Sequence, residues 1–356
     1  MSAVSWELRL LKALLWTYIV LCLVIASLNW GYLPSATAKV AKAITGLWHF
    51  YENWFKSVLI VVCGWLTLRI IHKKKQRTTM RKGNLIGFCL AALLVHIILP
   101  LLLKNPELYY FAMPLPWSTV PLQAGVEGTA MHSSLTGSIA LSGIRSSLLF
   151  FWIYSATILV GTVLFGRRVQ CSTLCLFNGF ASEVFAPAFP LVGAFKTPLL
   201  PGRLALVAVI RKLFFVMALA LTLYWTLFKT GGGHPSIAKL ETVKYLIFEL
   251  LMAMFFWVAF VGRLYCYYCP LGTLLGWLGR VGGQRIATNQ THCIQCGKCT
   301  AACPLSIDVR SYAMHGLPME DLSCVGCGHC IDACPTETLK YRTRFIYFLY
   351  EARRNH

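Results

Sequence analysis

Charged side chains are scarce in this chain. Only 13% of its 356 residues are Asp, Glu, Lys or Arg, and only 13 residues are acidic, whereas about 25% is usual for a soluble domain. The hydrophobic share of 57% and the mean hydropathy of +0.62 are typical of a membrane protein. The sequence also offers no phosphate-binding glycine loop and no nucleophile with a recognisable base, which argues against a stand-alone catalyst.

Six apolar stretches reach the length of about 20 residues that a membrane-spanning helix needs. The spans must be helices because backbone polar groups in lipid have to be hydrogen-bonded within the segment. We place them at about 11–30, 52–71, 85–103, 146–166, 211–229 and 244–263. The first stretch resembles a secretory signal, but its length and the interfacial Trp30 and Tyr32 that follow favour a retained helix.

The net charge of +20 raises the question of a nucleic-acid partner. Most of the 33 basic residues fall on one membrane side if the N-terminus is cytoplasmic, as the positive-inside rule requires. The charge therefore predicts topology and no nucleic-acid partner. We expect a multi-pass protein of the bacterial inner membrane, with both termini and the C-terminal cysteine-rich region in the cytoplasm.

Two cysteine motifs lie near the end of the chain, at residues 293–304 and 324–335, each with the spacing Cys-x2-Cys-x2-Cys-x3-Cys-Pro. Bacterial ferredoxins hold 4Fe–4S clusters with this run. Three closely spaced thiols ligate one cubane, and the cysteine before proline ligates the other cluster. The crossed scheme predicts two clusters, each with a fourth ligand from the other motif. The first set is Cys293, Cys296, Cys299 and Cys334, and the second is Cys324, Cys327, Cys330 and Cys303.

Zinc is the alternative occupant of these motifs, because Cys-x2-Cys pairs also build tetrahedral zinc sites. A zinc site leaves the third close cysteine and the Cys-Pro step of each motif unexplained. The spacing therefore favours iron–sulfur clusters, and eight thiols this close together indicate a reducing compartment rather than disulfides.

A weaker repeat joins the ends of the fourth and sixth predicted spans. Each end has a Gly-Arg step, at residues 166–167 and 262–263, followed by a cysteine pair. If the two ends are neighbours, four thiols converge near the inner membrane surface and could hold a third cluster or another metal. The alternative is a structural role, because the two pairs differ in spacing. These four residues are Cys171, Cys175, Cys266 and Cys269, which we call the inner-edge cysteines.

Arginines accompany both inner-edge pairs. Arg167, Arg168 and Arg263 are expected to lower the pKa of the neighbouring thiols, since a nearby cation favours the thiolate.

Two ionisable residues lie within predicted spans, His96 in the third and Glu249 in the sixth. Such residues usually face the bundle interior or a wet cavity and are functional candidates. We predict a role in quinone or proton handling, with a histidine satisfied by a neighbouring helix as the alternative. Haem b would need a second histidine at matched depth, and no helix pair offers one.

The predicted fold is mainly α, a bundle of about six transmembrane helices followed by a bacterial-type α+β ferredoxin domain for two clusters. Residues 1–270 form the bundle, 271–289 a short Gly-rich linker, 290–342 the ferredoxin domain and 343–356 a basic tail. Because only about 23 residues separate Cys269 from Cys293, we expect the ferredoxin domain to stay near the membrane surface.

The spans, the inner-edge cysteine pairs and the paired ferredoxin motifs together resemble membrane polyferredoxins of the NapH/NosR type, over nearly the whole chain. Family members usually carry Cys-x3-Cys-Pro at the membrane pairs; here Leu176 replaces the first proline and Cys266-x2-Cys269 is one residue shorter. The resemblance implies electron transfer between the quinone pool or a membrane partner and an unidentified redox enzyme. The alternative is a redox-sensing regulator, or a maturation factor that reduces a metal for an oxidase or reductase.

Overall fold

The computed structural model describes residues 5–73, 77–139, 141–189, 201–227, 235–259 and 263–354. Helices dominate the described chain. Five of them are long and apolar enough to cross a membrane: Trp6–Tyr32, Ala38–Lys73, Thr79–Leu103, Leu141–Phe165 and Ala205–Leu227. They coincide with the first five predicted spans and extend beyond most of the predicted ends.

The first span ends in a π-helical turn at Ser27–Tyr32. The second and third spans are interrupted by π-helical turns at Phe50–Phe55 and Leu94–Ile98. The intervening helices are α1 (Ser5–Ala26), α2 (Ala38–His49), α3 (Lys56–Lys73), α4 (Thr79–Leu93) and α5 (Leu99–Leu103). After a 3-10 turn at Leu108–Ala112 come the short helices α6 (Val120–Ala124) and α7 (Ala130–Ser138), then α8 (Leu141–Phe165), α9 (Asn178–Ala188) and α10 (Pro201–Leu227).

The sixth predicted span coincides with helix α11 (Pro235–Val243), a π-helical segment (Lys244–Leu251) and helix α12 (Met252–Ala259). This run is not among the five long apolar helices, and residues 260–262, including Gly262 of the predicted repeat, lie outside the described residues. Its start lies beside the residue 104–139 region, where Glu241 Oε1 accepts a hydrogen bond from Thr119 at 2.5 Å. Its end approaches the opposite side, where Trp257 Nε1 donates to Asn178 at 2.7 Å. The run thus covers most of the sixth predicted span, which stays a prediction as a membrane crossing.

A hydrophobic core holds the bundle together. Leu66, Phe88, Val184 and Trp257, from four different helices, belong to one buried cluster. Large apolar side chains on the outer helix faces stay exposed, including Leu213 at 65% and Leu149 at 62%. Apolar faces of this kind suit contact with lipid.

The cysteine-rich region follows as a compact α+β unit. Helix α13 (Pro270–Val281) leads into strand β1 (Arg285–Ala287), which pairs antiparallel with β2 (Lys340–Arg342). Three short helices lie between the strands: α14 (Lys298–Ala301), α15 (Val309–Met314) and α16 (His329–Ala333). The unit thus begins at β1 rather than at residue 290, because the first strand closes the sheet with the last.

Helix α13 occupies most of the predicted Gly-rich linker and packs against α8 and α10. Its glycines permit close packing instead of flexibility. A Cβ at Gly276 would lie 3.1 Å from the Leu322 carbonyl oxygen, and one at Gly279 would lie 2.8 Å from Gln284 Oε1. The ferredoxin unit is therefore fixed to the bundle by a helix.

The C-terminal tail is also helical. Helix α17 (Arg344–Arg354) packs on α8, and Phe345 makes an edge-to-face contact with Phe165 at 5.5 Å between ring centroids. Just before it, the hydroxyl groups of Tyr341 and Thr343 donate to the carbonyl oxygens of Phe165 and Leu164. The end of α8 is therefore bound directly to the end of the ferredoxin unit.

Candidate functional site

The first predicted ligand set lines one pocket. Cys293, Cys296 and Cys299 share it with Cys334 of the second motif. The pocket thus brings the fourth cysteine across from the other motif, which is the arrangement that crossed ligation requires. Cys296 is exposed, so this pocket lies at the protein surface.

Backbone geometry explains the glycine between the second and third cysteine of each motif. Gly297 and Gly328 precede α14 and α16 with φ of +73° and +75°. Only glycine adopts this left-handed conformation without a steric penalty. The turn starts the short helix that carries the third cysteine of its motif, Cys299 or Cys330.

The second predicted ligand set lies deeper than the first, because Cys327 and Cys330 are buried and Cys303 and Cys324 are half-buried. Burial, together with the neighbouring Cys327 and Cys324, raises the pKa of Cys303 to about 12. Burial likewise raises the pKa of Cys330 well above its usual value, with contributions from Cys327, Cys324, Cys303 and then Cys299. These four thiols are therefore mutual neighbours, and Cys299 of the first set lies next to them. Cluster binding must displace their protons, because thiolate is the ligand form.

The first set of four thiols lines one pocket, and the second set forms a separate group. Each set supplies the four thiolates that a 4Fe–4S cluster requires. Within the described residues, no group of three or more His, Cys, Asp or Glu side chains is close enough to hold a metal ion directly. The ligand assignments themselves remain predictions.

The inner-edge cysteines come together as the sequence repeat predicts. The Cys269 thiol lies close enough to Cys266, Cys171 and Cys175 for each of them to raise its pKa, and Cys266 has the largest influence of the three. Cys171 lies in the π-helical turn Arg168–Ser172 after α8, and Cys175 lies before α9. Cys266 lies in the 3-10 turn Leu264–Tyr267, and Cys269 caps α13, where its sulfur accepts from Gly272 N at 3.4 Å.

The expected lowering of the thiol pKa by arginine is wrong for three of these cysteines. Burial raises the pKa of Cys266 to about 12, and Arg263 opposes this only in part. The pKa values of Cys175 and Cys269 are also raised, with burial as the main cause. The desolvation of the thiolate outweighs the nearby cations. The side chain of Arg168 lies outside the described residues.

Buried charges surround this group. Arg263 Nη1 donates to the Cys171 carbonyl oxygen at 3.0 Å, and Arg167 Nη1 donates to the carbonyl oxygens of Leu322 and Cys324. Both arginines are almost fully buried, at 0% and 2% exposure. Arg167 therefore links the inner-edge group to the second cysteine motif.

The two membrane candidates, His96 and Glu249, line one cavity of about 120 Å³, although they lie in different helices. His96 stacks on Tyr109 at 5.9 Å between ring centroids, and its Nδ1 atom has no hydrogen-bond partner. Glu249 pairs with Lys244 at 2.9 Å. The same cavity is lined by Cys175, so it extends to the inner-edge thiols.

The sequence analysis missed Glu183. Its fully buried carboxylate pairs with Arg81 at 2.9 Å, His329 at 2.6 Å and, more distantly, Arg263 at 3.9 Å. Arg81 is one of the basic residues that the sequence analysis used only to predict topology. The sequence offered one clue to the role of Glu183, namely that it is a lone carboxylate in the short apolar segment after the fourth span.

A comparison with protein-family models matches residues 285–341 to a 4Fe-4S dicluster domain, which begins at β1 and ends in β2 as the fold does. No curated protein matches the chain, and no solved structure matches it. The C-terminal unit is thus a 4Fe–4S dicluster domain on a mostly helical chain with several membrane-length apolar helices.

Proposed function

We propose that this chain is a membrane-bound iron–sulfur protein that relays electrons between the quinone pool, or a membrane partner, and a redox enzyme. One observation carries the proposal, namely the order of the redox-competent groups through the molecule. The cavity that contains His96 and Glu249 reaches Cys175. Cys171 and Cys266 pack against the same core as the second ferredoxin set. Cys296 of the first set is exposed at the surface.

The cavity has the composition expected of a site for a flat, largely apolar ring with polar oxygens. Its walls include the aromatic side chains of Trp117, Phe177 and Tyr245, together with a few buried polar groups. Ligand sites generally combine apolar walls with a small number of placed polar groups. A quinone headgroup is therefore the occupant that we assign to it.

Proton transfer must accompany electron transfer at such a site, since oxidation of a quinol releases two electrons and two protons. When bound, 4Fe–4S clusters supply one-electron transfer, so two of them accept the pair one electron at a time. His96 and Glu249 are the proposed proton carriers, because both face the cavity and the His96 Nδ1 atom is free of protein partners. The same groups serve transfer in the opposite direction.

The proposal includes a location. We place the protein in a bacterial inner membrane with both termini and the dicluster domain in the cytoplasm, which the distribution of basic residues supports. The resemblance to NapH/NosR-type polyferredoxins supports the quinone pool as one partner. The acceptor enzyme would dock where Cys296 and the neighbouring Ile294, at 63% exposure, reach the surface.

Anaerobic addition of a short-chain quinol to the purified protein tests the proposal. We expect reduction of the clusters, observed by EPR and by bleaching of visible absorbance, to the extent that dithionite reduces the same sample. An inhibitor that competes with quinone should slow it. If dithionite reduces the clusters and neither a benzoquinol nor a naphthoquinol does, the quinone relay is excluded and the regulator or maturation alternative gains support.

A further inference from the structure

The inner-edge thiols belong to neither ferredoxin ligand set, yet they form a group of four. We propose that Cys171, Cys175, Cys266 and Cys269 hold a third iron–sulfur cluster of the cubane type, between the His96 cavity and the dicluster domain. The assignment stands on the geometry of this group and deepens the proposed function by adding a redox centre to its path.

The convergence of these residues is built by four separate turns. A π-helical turn, the N-terminal approach to α9, a 3-10 turn and the start of α13 each place one thiol in the group. The two pairs are more than 90 residues apart in the chain, and both follow helices that end at the same side of the bundle. None of the four is in a disulfide. Four thiols are the ligand number of a 4Fe–4S cluster.

Buried positive charge provides the second observation. Arg263 is fully buried, and its Nε and Nη2 atoms have no hydrogen-bond partner; the Nε atom of Arg167 is also without one. Glu183, the nearest carboxylate, already pairs with Arg81 and lies 3.9 Å from Arg263. Buried N–H groups without partners are costly and rare. A cluster with four thiolates carries net negative charge and sulfur acceptors, and so it satisfies both the charge and the donors.

Close backbone approach is the third observation. Gly272 N donates to Cys269 Sγ at 3.4 Å, as backbone amides do around cluster sulfurs. A Cβ at Gly272 would lie 3.0 Å from Arg167 Nη2 and 3.4 Å from Cys269 Cβ. At Gly179, a Cβ would lie 3.0 Å from Cys175 Cβ and 2.7 Å from the Cys171 carbonyl oxygen. Glycines from α9 and α13 therefore let both cysteine pairs approach.

The surroundings favour iron–sulfur over zinc. Arg263 lies close enough to interact electrostatically with Cys327 of the second ferredoxin set and with Cys266 and Cys171 of the inner-edge group. A redox centre at this point would bridge the cavity and the dicluster domain, and a zinc ion would not carry an electron.

Iron, acid-labile sulfide and zinc analysis of the anaerobically purified protein decides the matter. Two clusters give about eight iron and eight sulfide per chain, and three give about twelve of each. We expect about twelve, without zinc. A count of eight, or eight iron with one zinc, would overturn the assignment, while leaving quinol reduction of the dicluster domain as a separate result.

A variant comparison locates the extra cluster. Cys171→Ser with Cys266→Ser should lose about four iron and four sulfide and retain the EPR signals of the dicluster domain. Cys89→Ala, which alters a half-buried thiol elsewhere in the bundle, serves as the matched control and should lose none. Equal iron counts in the double variant and the control would contradict the proposal. If the double variant does not fold, the wild-type count still decides.

Discussion

His329 Nε2 lies 2.6 Å from Glu183 Oε1, and this contact joins helix α9 of the bundle to the start of helix α16 in the second cysteine motif. Burial alone would raise the pKa of Glu183, but His329 and then Arg81 outweigh it, so the pKa lies well below its usual range. Asn84 adds a hydrogen bond to the same carboxylate at 3.3 Å and donates to the Cys327 carbonyl oxygen at 2.9 Å. The Glu183 carboxylate is thus one of the buried contacts that attach the dicluster domain to the bundle.

Replacing that anion should destabilise the attachment. Glu183→Ala leaves Arg81 and His329 buried without their partner, which costs about 3–5 kcal/mol for a buried pair. We expect the temperature at which cluster absorbance is lost in detergent to fall markedly. Glu337→Ala is the matched control, because Glu337 pairs with Arg77 at the surface with 69% exposure, and such pairs contribute about 0–1 kcal/mol. Equal shifts in the two variants would show that Glu183 does not fix the domain.

The two left-handed glycines allow a second paired test. Gly297→Ala and Gly328→Ala both impose a left-handed residue with a Cβ, at about 1–2 kcal/mol. At Gly328 the new Cβ would also lie 2.6 Å from Met80 Cγ of α4, whereas at Gly297 the nearest atom is Arg310 Cδ at 3.8 Å. We therefore expect Gly328→Ala to lower the stability of the second cluster site more than Gly297→Ala lowers that of the first. Chemical denaturation followed by cluster absorbance measures both, and a larger loss in Gly297→Ala would contradict the packing of α4 on the domain.

Crossed ligation predicts which single Cys→Ser variants lose the same EPR signal. Cys334→Ser should remove the same EPR signal as Cys293→Ser, because both cysteines line one pocket. Cys303→Ser should instead match Cys324→Ser, since these thiols belong to the second, deeper set. If Cys334→Ser matched Cys324→Ser, each motif would bind its own cluster with all four cysteines.

Topology is the fourth prediction. A reporter fused after His356 should be active only in its cytoplasmic form, because the basic residues concentrate on the side of both termini. A matching fusion in the 104–139 region should give the periplasmic response. The reverse pair of signals would overturn the orientation and move the redox partner to the other side of the membrane.

The sequence predicted features that depend on local spacing. The ferredoxin motifs required only the positions of eight cysteines, and the apolar spans required only length and hydropathy. The meeting of Cys171 with Cys266 was also predictable, because the Gly-Arg steps marked two helix ends as equivalent. His96 and Glu249 could be named from their depth alone, but their shared cavity depends on how four helices pack.

Other features depended on packing that one sequence does not display. The glycines of residues 271–289 suggested a linker, yet Gly276 and Gly279 are small because Leu322 and Gln284 pack against α13. Arg263 was expected to favour thiolates, but the site is so buried that desolvation dominates. The pairing of Glu183 with His329 spans 146 positions, and no local pattern signals it.

The electron path from the membrane cavity to the dicluster domain is the central claim, and the reduction rate of a Cys266→Ser, Cys269→Ser double variant tests it most directly. Both ferredoxin clusters are first verified by their EPR signals after dithionite reduction. Stopped-flow reduction by a short-chain quinol is then compared with that of wild type and of the Cys89→Ala control. The account predicts a rate at least about tenfold lower in the double variant alone, equivalent to about 1.4 kcal/mol on the barrier. A rate equal to that of wild type would show that electrons bypass the inner-edge thiols and would contradict the account.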